Sequence, residues 1–189
     1  MDHIQTISTK RIVLTALMAA LTIVGSAIRI TMPIDIAGTT SFHLGNIMCA
    51  LSGILLGPWL GGLAAGLGSF LYDMTNPMYV SEAWITFLTK GMYGLFPGLV
   101  MLLWKKNWGA VKAGIAAAAG AVAYAAAYLA KTYWWSGIFK HGLTPDAAML
   151  TVISKIPATV FNAAVAIIFA PILAVAIRKA LEKNHLSLD

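Results

Sequence analysis

The sequence predicts an all-α, polytopic membrane protein, a bundle of six transmembrane helices with both termini cytoplasmic. Three observations carry this expectation. Of the 189 residues, 59% are hydrophobic and only 11% charged, with a mean hydropathy of +0.80; a soluble domain of that length needs far more polar surface. Apolar runs near the ~20 residues that cross a ~30 Å hydrocarbon core recur along the chain. Basic residues gather at alternate ends of those runs, the asymmetry that orients helices in membranes.

The whole chain, 1–189, reads as one integral membrane domain with helices at about 11–31, 43–57, 59–74, 84–104, 109–130 and 147–178. The first follows Lys10-Arg11, is too long for the core of a cleaved leader, and has no small-residue cleavage site after it. Gly57-Pro58 separates the second run from the third, which is rich in glycine and ends at Asp73 and the turn Asn76-Pro77. Lys105-Lys106 close the fourth run; the fifth is largely alanine; the last ends at Arg178-Lys179. The second run would reach only ~20 Å at about 1.5 Å per residue, so residues 44–72 fit either two crossings or a re-entrant hairpin from the outer side. The loop 31–43 and the segment 131–146 are the longest expected irregular stretches, of a size more typical of lids and binding loops than of plain connectors.

With the N-terminus inside, the inner face collects Lys10, Arg11, Lys105, Lys106, Lys112, Arg178, Lys179 and Lys183. The outer side keeps Arg29, Lys131 and Lys140 beside Asp35, Asp73, Glu82 and Asp146. The net charge of +6 therefore belongs to membrane orientation and not to nucleic-acid recognition. Small residues at four-residue spacing mark close helix packing: Gly62 and Gly66, then Asn46, Ala50, Gly53 and Gly57, then Ala119, Ala123 and Ala127. Ala16 and Ala20 repeat the spacing on the first helix, where the face suits either internal packing or another subunit.

Several chemistries have no support. No GxxxxGK[ST] element is present, nor HExxH, nor GxSxG, so neither ATP hydrolysis through a phosphate loop nor a familiar hydrolase is expected. Cys49 is the single cysteine, and His3, His43, His141 and His185 share no ligand spacing; no metal and no cofactor are expected. The chain reads as a non-enzyme.

The polar residues that stand out share one depth. Lys90, inside ITFLTKGMYG (85–94), lies ~9 Å below the outer start of its helix, and Lys155 lies at a similar depth in the last. Asn46, Asp73, Trp84, Tyr128, Trp135 and Asn162 fall in the same outer half. Thr86, Lys90 and Tyr93 occupy one helical face, as do Lys155, Thr159 and Asn162. Two such faces belong against each other or a shared cavity, since lipid offers them no partners. Three roles stay open for Lys90: snorkelling to the interface, pairing with Asp73, or meeting a ligand. Aromatics 133–135 fit an interfacial belt as well as a ligand wall. A basic, aromatic cavity of this kind suits a small molecule with a carboxylate, phosphate or electron-rich carbonyls.

FHLGNIMCALSGILLGPWLGGLAAGLGSFLYD (42–73) followed by ITFLTKGMYGLFPGL resembles the substrate-capturing S component of prokaryotic energy-coupling factor (ECF) vitamin transporters. The shared elements are LGN, LLGP with a glycine-rich helix ending in Asp, and TxxxKG. The resemblance implies a multi-pass subunit of the plasma membrane that binds a vitamin near the outer face. Loop 31–43 would be its lid, and it would work with a membrane coupling subunit and two cytoplasmic ATPases. It also implies a docking role for Ala16 and Ala20, which match an AxxxA pattern. The substrate does not carry over; riboflavin, a pyrimidine precursor, pantothenate and a corrinoid all fit. The rival readings are a proton-coupled secondary transporter acting alone, and a membrane enzyme acting on a lipid.

Overall fold

A computed structural model describes residues 8–32, 40–104 and 108–184. Among the described residues six α-helices follow in order: α1 (Thr9–Ala27), α2 (Gly45–Leu56), α3 (Pro58–Met74), α4 (Ala83–Leu102), α5 (Ala110–Lys131) and α6 (Pro145–Lys183). Between α1 and α2 lies an antiparallel hairpin of β1 (Arg29–Met32) and β2 (Thr40–His43), with Arg29 opposite His43 and Met32 opposite Thr40. The stretches Thr9–Ala27, Val80–Leu102, Ala110–Lys140 and Pro145–Lys183 are long and apolar enough to cross a membrane.

Two expectations about the outer segments are corrected. The first helix does not run to residue 31: it ends at Ala27, and the β-branched sequence after Ile28 pairs as a strand, aided by the extended bias that a following proline places on Met32. The segment 131–146 is not irregular either. Thr132–Lys140 continues α5 as a π-helix, and the chain turns only at Gly142, whose φ of 60° few other residues tolerate. Thr144 then caps α6, its side chain accepting from Ala147 N, with Pro145 in the first turn.

α2 is the axis of the bundle. It packs against α1, α3, α4, α5 and α6, and Asn46, Ile47, Cys49, Ala50, Leu51, Ser52 and Ile54 are all buried, as expected of a helix apolar on every side. Glycine lets its backbone come close to its neighbours. A Cβ on Gly61 of α3 would stand 2.5 Å from the Gly53 Cα of α2, and one on Gly53 would strike the Gly94 carbonyl of α4. One on Gly120 of α5 would stand 2.5 Å from Pro97 Cγ of α4.

Contacts fix which helix ends share a level. The turn from α2 to α3 uses Gly57 at φ 81° followed by Pro58 at the first helical position. Arg11, at the start of α1, donates from Nη2 to Leu56 O at 3.1 Å. Arg178, late in α6, donates from Nη1 to Trp108 O at 3.1 Å and lies over the Trp108 ring. Lys10, Arg11, Arg178, Lys179 and Lys183 thus sit at this end; Lys105 and Lys106 lie outside the described residues. The opposite end holds the hairpin, the end of α3 and the start of α4.

Gly61→Ala forces a methyl into the α2 backbone and should lower the melting temperature in detergent by several degrees, the consequence of roughly 1–3 kcal/mol of overpacking. Gly109→Ala, where no atom lies within 4 Å, serves as the control and should melt as the unaltered protein does. Equal melting of the two variants would show that the helices tolerate a wider separation.

Candidate functional site

At the hairpin end the bundle opens into a cavity of about 280 Å³. Each wall comes from a different element: Asn46 from α2, Asp73 from α3, Thr86, Thr89 and Lys90 from α4, Tyr124 and Tyr128 from α5, Lys155, Thr159 and Asn162 from α6. Arg29, Ser41 and His43 of the hairpin form its cover, and Tyr79, Glu82, Lys131, Ser136, Lys140 and His141 its rim.

Lys90 is 6% exposed, and its Nζ donates to Asn46 Oδ1 across from α2. Its hydrogen-bond partner is therefore this amide rather than the Asp73 carboxylate. Lys90 Nζ also stands 4.1 Å from the Tyr124 ring centroid. Tyr93, Tyr124 and Tyr128 stack in a ladder, with centroids 5.0 and 5.5 Å apart and rings nearly parallel. Lys131 and Lys155 approach the Tyr128 ring at 5.9 and 6.0 Å. The electron-rich ring faces and the ammonium groups stabilise one another.

The rim is tied by Glu82, which accepts from Lys131, from Lys140 at 3.0 Å and from Ser136 at 3.3 Å. The ties join the short 3₁₀ turn before α4 to the end of α5 and the π-helical stretch. The cover is tied by Asn162. Its Nδ2 donates to Ser41 O at 2.9 Å and its Oδ1 accepts from His43 N at 3.1 Å, so the amide acts as a short strand along β2. Burial, then the charges of Lys90 and Arg29, hold the His43 imidazole well below its ordinary pKa, which leaves it neutral at pH 7.

Of the residues expected from sequence, Asn46, Asp73, Lys90, Tyr128, Lys155 and Asn162 meet in this one cavity. Trp84 and Trp135 are not among its lining residues. Trp84 is half exposed and meets Trp135 edge-on at 5.2 Å. Ala16 and Ala20 lie on the outward face of α1, beside exposed Ile12, Val13 and Leu17. Arg29, His43, Glu82, Tyr124 and Lys131 were not anticipated. Tyr124 had a signal, since it precedes Tyr128 by four residues and so shares its face. Among the described residues no group of histidine, cysteine, aspartate and glutamate could hold a metal ion.

Comparison with known proteins gives a family match. The family model described as "ECF-type riboflavin transporter, S component" matches residues 6–179. A stretch of 79 residues is 37% identical to a protein of Pyrococcus woesei described as "Uncharacterized protein in gap 3'region", covering 42% of this chain and 50% of that protein. The chain thus spans about half the length of the curated relative it matches. No solved structure matches.

The amide tie makes a specific demand on the hairpin. Asn162→Ala removes two hydrogen bonds, each with a net contribution of about 0.5–1.5 kcal/mol, and should speed hydrogen–deuterium exchange at residues 40–44 about tenfold. Asn162→Asp keeps the acceptor for His43 N but loses the donor to Ser41 O, and should fall between the two. Unchanged exchange in Asn162→Ala would mean that the hairpin is held elsewhere.

Proposed function

The chain belongs to the S components of ECF-type riboflavin transporters, the family matched over residues 6–179, and from that premise we propose that it captures a vitamin or vitamin precursor in the cavity under the hairpin. Membership makes it a multi-pass membrane transporter subunit and not an enzyme. The observation that carries the proposal is the cavity itself: a basic, tyrosine-walled chamber open near one end of a bundle whose other end is closed by glycine and alanine packing. Its volume of about 280 Å³ lies just below the roughly 300–1,000 Å³ typical of ligand pockets. Size therefore favours a riboflavin-like ring system, a pyrimidine or pantothenate over a corrinoid.

We read all six helices as crossings, with both termini cytoplasmic. Two features support this. The α2–α3 turn reaches the level of Arg11 instead of stopping at half depth, and basic residues gather at that end. The cavity then faces outward, and hairpin 29–43 becomes the lid; residues 33–39 lie outside the described residues. Inward release is assigned to partner subunits, a membrane coupling protein and two ATPases, with the exposed Ala16–Ala20 face of α1 as the docking surface. Asn46, Asp73, Lys90, Tyr128, Lys155 and Asn162 are the proposed ligand contacts.

Titration of the purified protein with riboflavin, a thiamine pyrimidine precursor and pantothenate, followed by tryptophan and tyrosine fluorescence, should give saturable binding to one of them. Lys90→Ala should weaken that binding tenfold or more at unchanged expression; an unchanged affinity would remove Lys90 from the site. Liposomes holding this chain alone should bind ligand without concentrating it. Concentrative uptake driven by a proton gradient would overturn the partner-dependent reading in favour of an autonomous transporter using Lys90 or Asp73.

A further inference from the structure

Arg29 lines the cavity, yet the ligand contacts above do not include it. It is fixed with unusual completeness for a cation at a membrane surface. Its Nε donates to Ser26 O at 2.9 Å. Its Cζ lies 4.5 Å from the centroid of Tyr72, in the last turn of α3, and 4.9 Å from that of Tyr79 in the following loop. Two rings and a carbonyl thus hold the guanidinium while the four hydrogens on its Nη atoms meet no acceptor among the described residues. A planar fork held this way is preorganised for two parallel hydrogen bonds to a carboxylate or phosphate.

The charge balance points the same way. Among the described residues, five cationic side chains line the cavity, Arg29, Lys90, Lys131, Lys140 and Lys155, against the two carboxylates of Asp73 and Glu82. Glu82 is taken by Lys131 and Lys140. Among the described residues neither Arg29 nor Lys90 is in ion-pair contact with a carboxylate. Excess positive charge beside a low-dielectric bilayer is unfavourable until an anion enters. Lys90 lies deep against the Tyr124 ring, whereas Arg29 sits at the hairpin, so the two are suited to opposite ends of one molecule.

We propose that the cavity selects an anionic ligand, a planar ring lying along the Tyr93–Tyr124–Tyr128 ladder near Lys90 with a carboxylate or phosphate gripped by Arg29 under the hairpin. This rests on the reading of the cavity as the ligand site and adds the substrate's charge to it. Matched pairs differing by one anionic group test it: riboflavin and its 5′-phosphate, pyridoxal and its 5′-phosphate, nicotinamide and nicotinate. The phosphate pairs and the carboxylate pair report separately which anion Arg29 takes. In calorimetric titrations of the purified full chain, the anionic member of at least one pair should bind ten times more tightly or better. Arg29→Gln should collapse that ratio to within twofold, and Arg29→Lys, which keeps the charge but loses the fork, should retain part of it. A thermal melt identifies any variant that fails to fold, and the pairs titrated on the unaltered chain still decide the matter. Binding that depends on Lys90 but treats both members of every pair alike would overturn the anion proposal and leave the cavity reading intact. No saturable binding of these six compounds, of pantothenate or of the pyrimidine precursor would overturn both.

Discussion

Between two helices in lipid the hydrophobic effect supplies little attraction, because acyl chains are as apolar as leucine, so α2, α3 and α4 are held by dispersion between closely approaching backbones. Gly53, Gly61 and Gly94 set that approach, each occupying a place where a methyl group would collide with a neighbouring main chain. The rest of the architecture depends on this contact. It permits α2 to be short, since a 12-residue helix reaches only ~18 Å and must be surrounded by longer ones to be useful in a membrane. It also fills one end of the bundle with backbone and small side chains. Volume is left at the other end, where the neighbours carry tyrosine, threonine, lysine and asparagine instead of glycine.

That open end gathers charges which would be unfavourable in lipid. Lys90 and Lys155 are 6% and 7% exposed, too buried for their ammonium groups to reach bulk water freely. The structure offsets this with groups suited to cations in a dry setting: the Asn46 amide oxygen for Lys90, and the faces of Tyr124 and Tyr128 for the two lysines. None of these partners carries a negative charge. They orient the ammonium groups inside the cavity. The rim differs, because Glu82 directly binds Lys131 and Lys140 and closes α4 against α5. Charge pairing is thus structural at the rim.

Much of this was legible in the chain, for reasons that particular residues make clear. Lys90 and Lys155 stood out because a charge inside an apolar run has few explanations, and depth along a helix of fixed rise placed them together. Asn46, Asp73, Tyr128 and Asn162 followed by the same measure. Trp84 and Trp135 share that depth but point away, since depth constrains height and not azimuth, and tryptophan is equally at home in the interface. Arg29 was hidden by the boundary of α1: counted as the last turn of a helix, it looked like an ordinary outer charge, and only the strand beginning there turns it beneath the hairpin. The π-helical stretch was hidden because aromatic TYWW carries no strong helix signal and Gly137 resembles a breaker.

Asn162 shows how depth can find a residue while missing its task. Its position suggested a ligand contact, yet the structure commits its amide to one edge of β2. An asparagine side chain offers two N–H hydrogens and two lone pairs, and the strand takes one of each. One hydrogen and one lone pair stay available on the face lining the cavity, so holding the hairpin and meeting a ligand are compatible roles. The geometry makes them dependent as well. A tilt of the amide toward a ligand lengthens its bonds to Ser41 and His43, and a shift of β2 reorients the amide. Cavity and cover therefore share a residue, and any differential affinity for a ligand in one arrangement of Asn162 becomes a bias on the position of the hairpin.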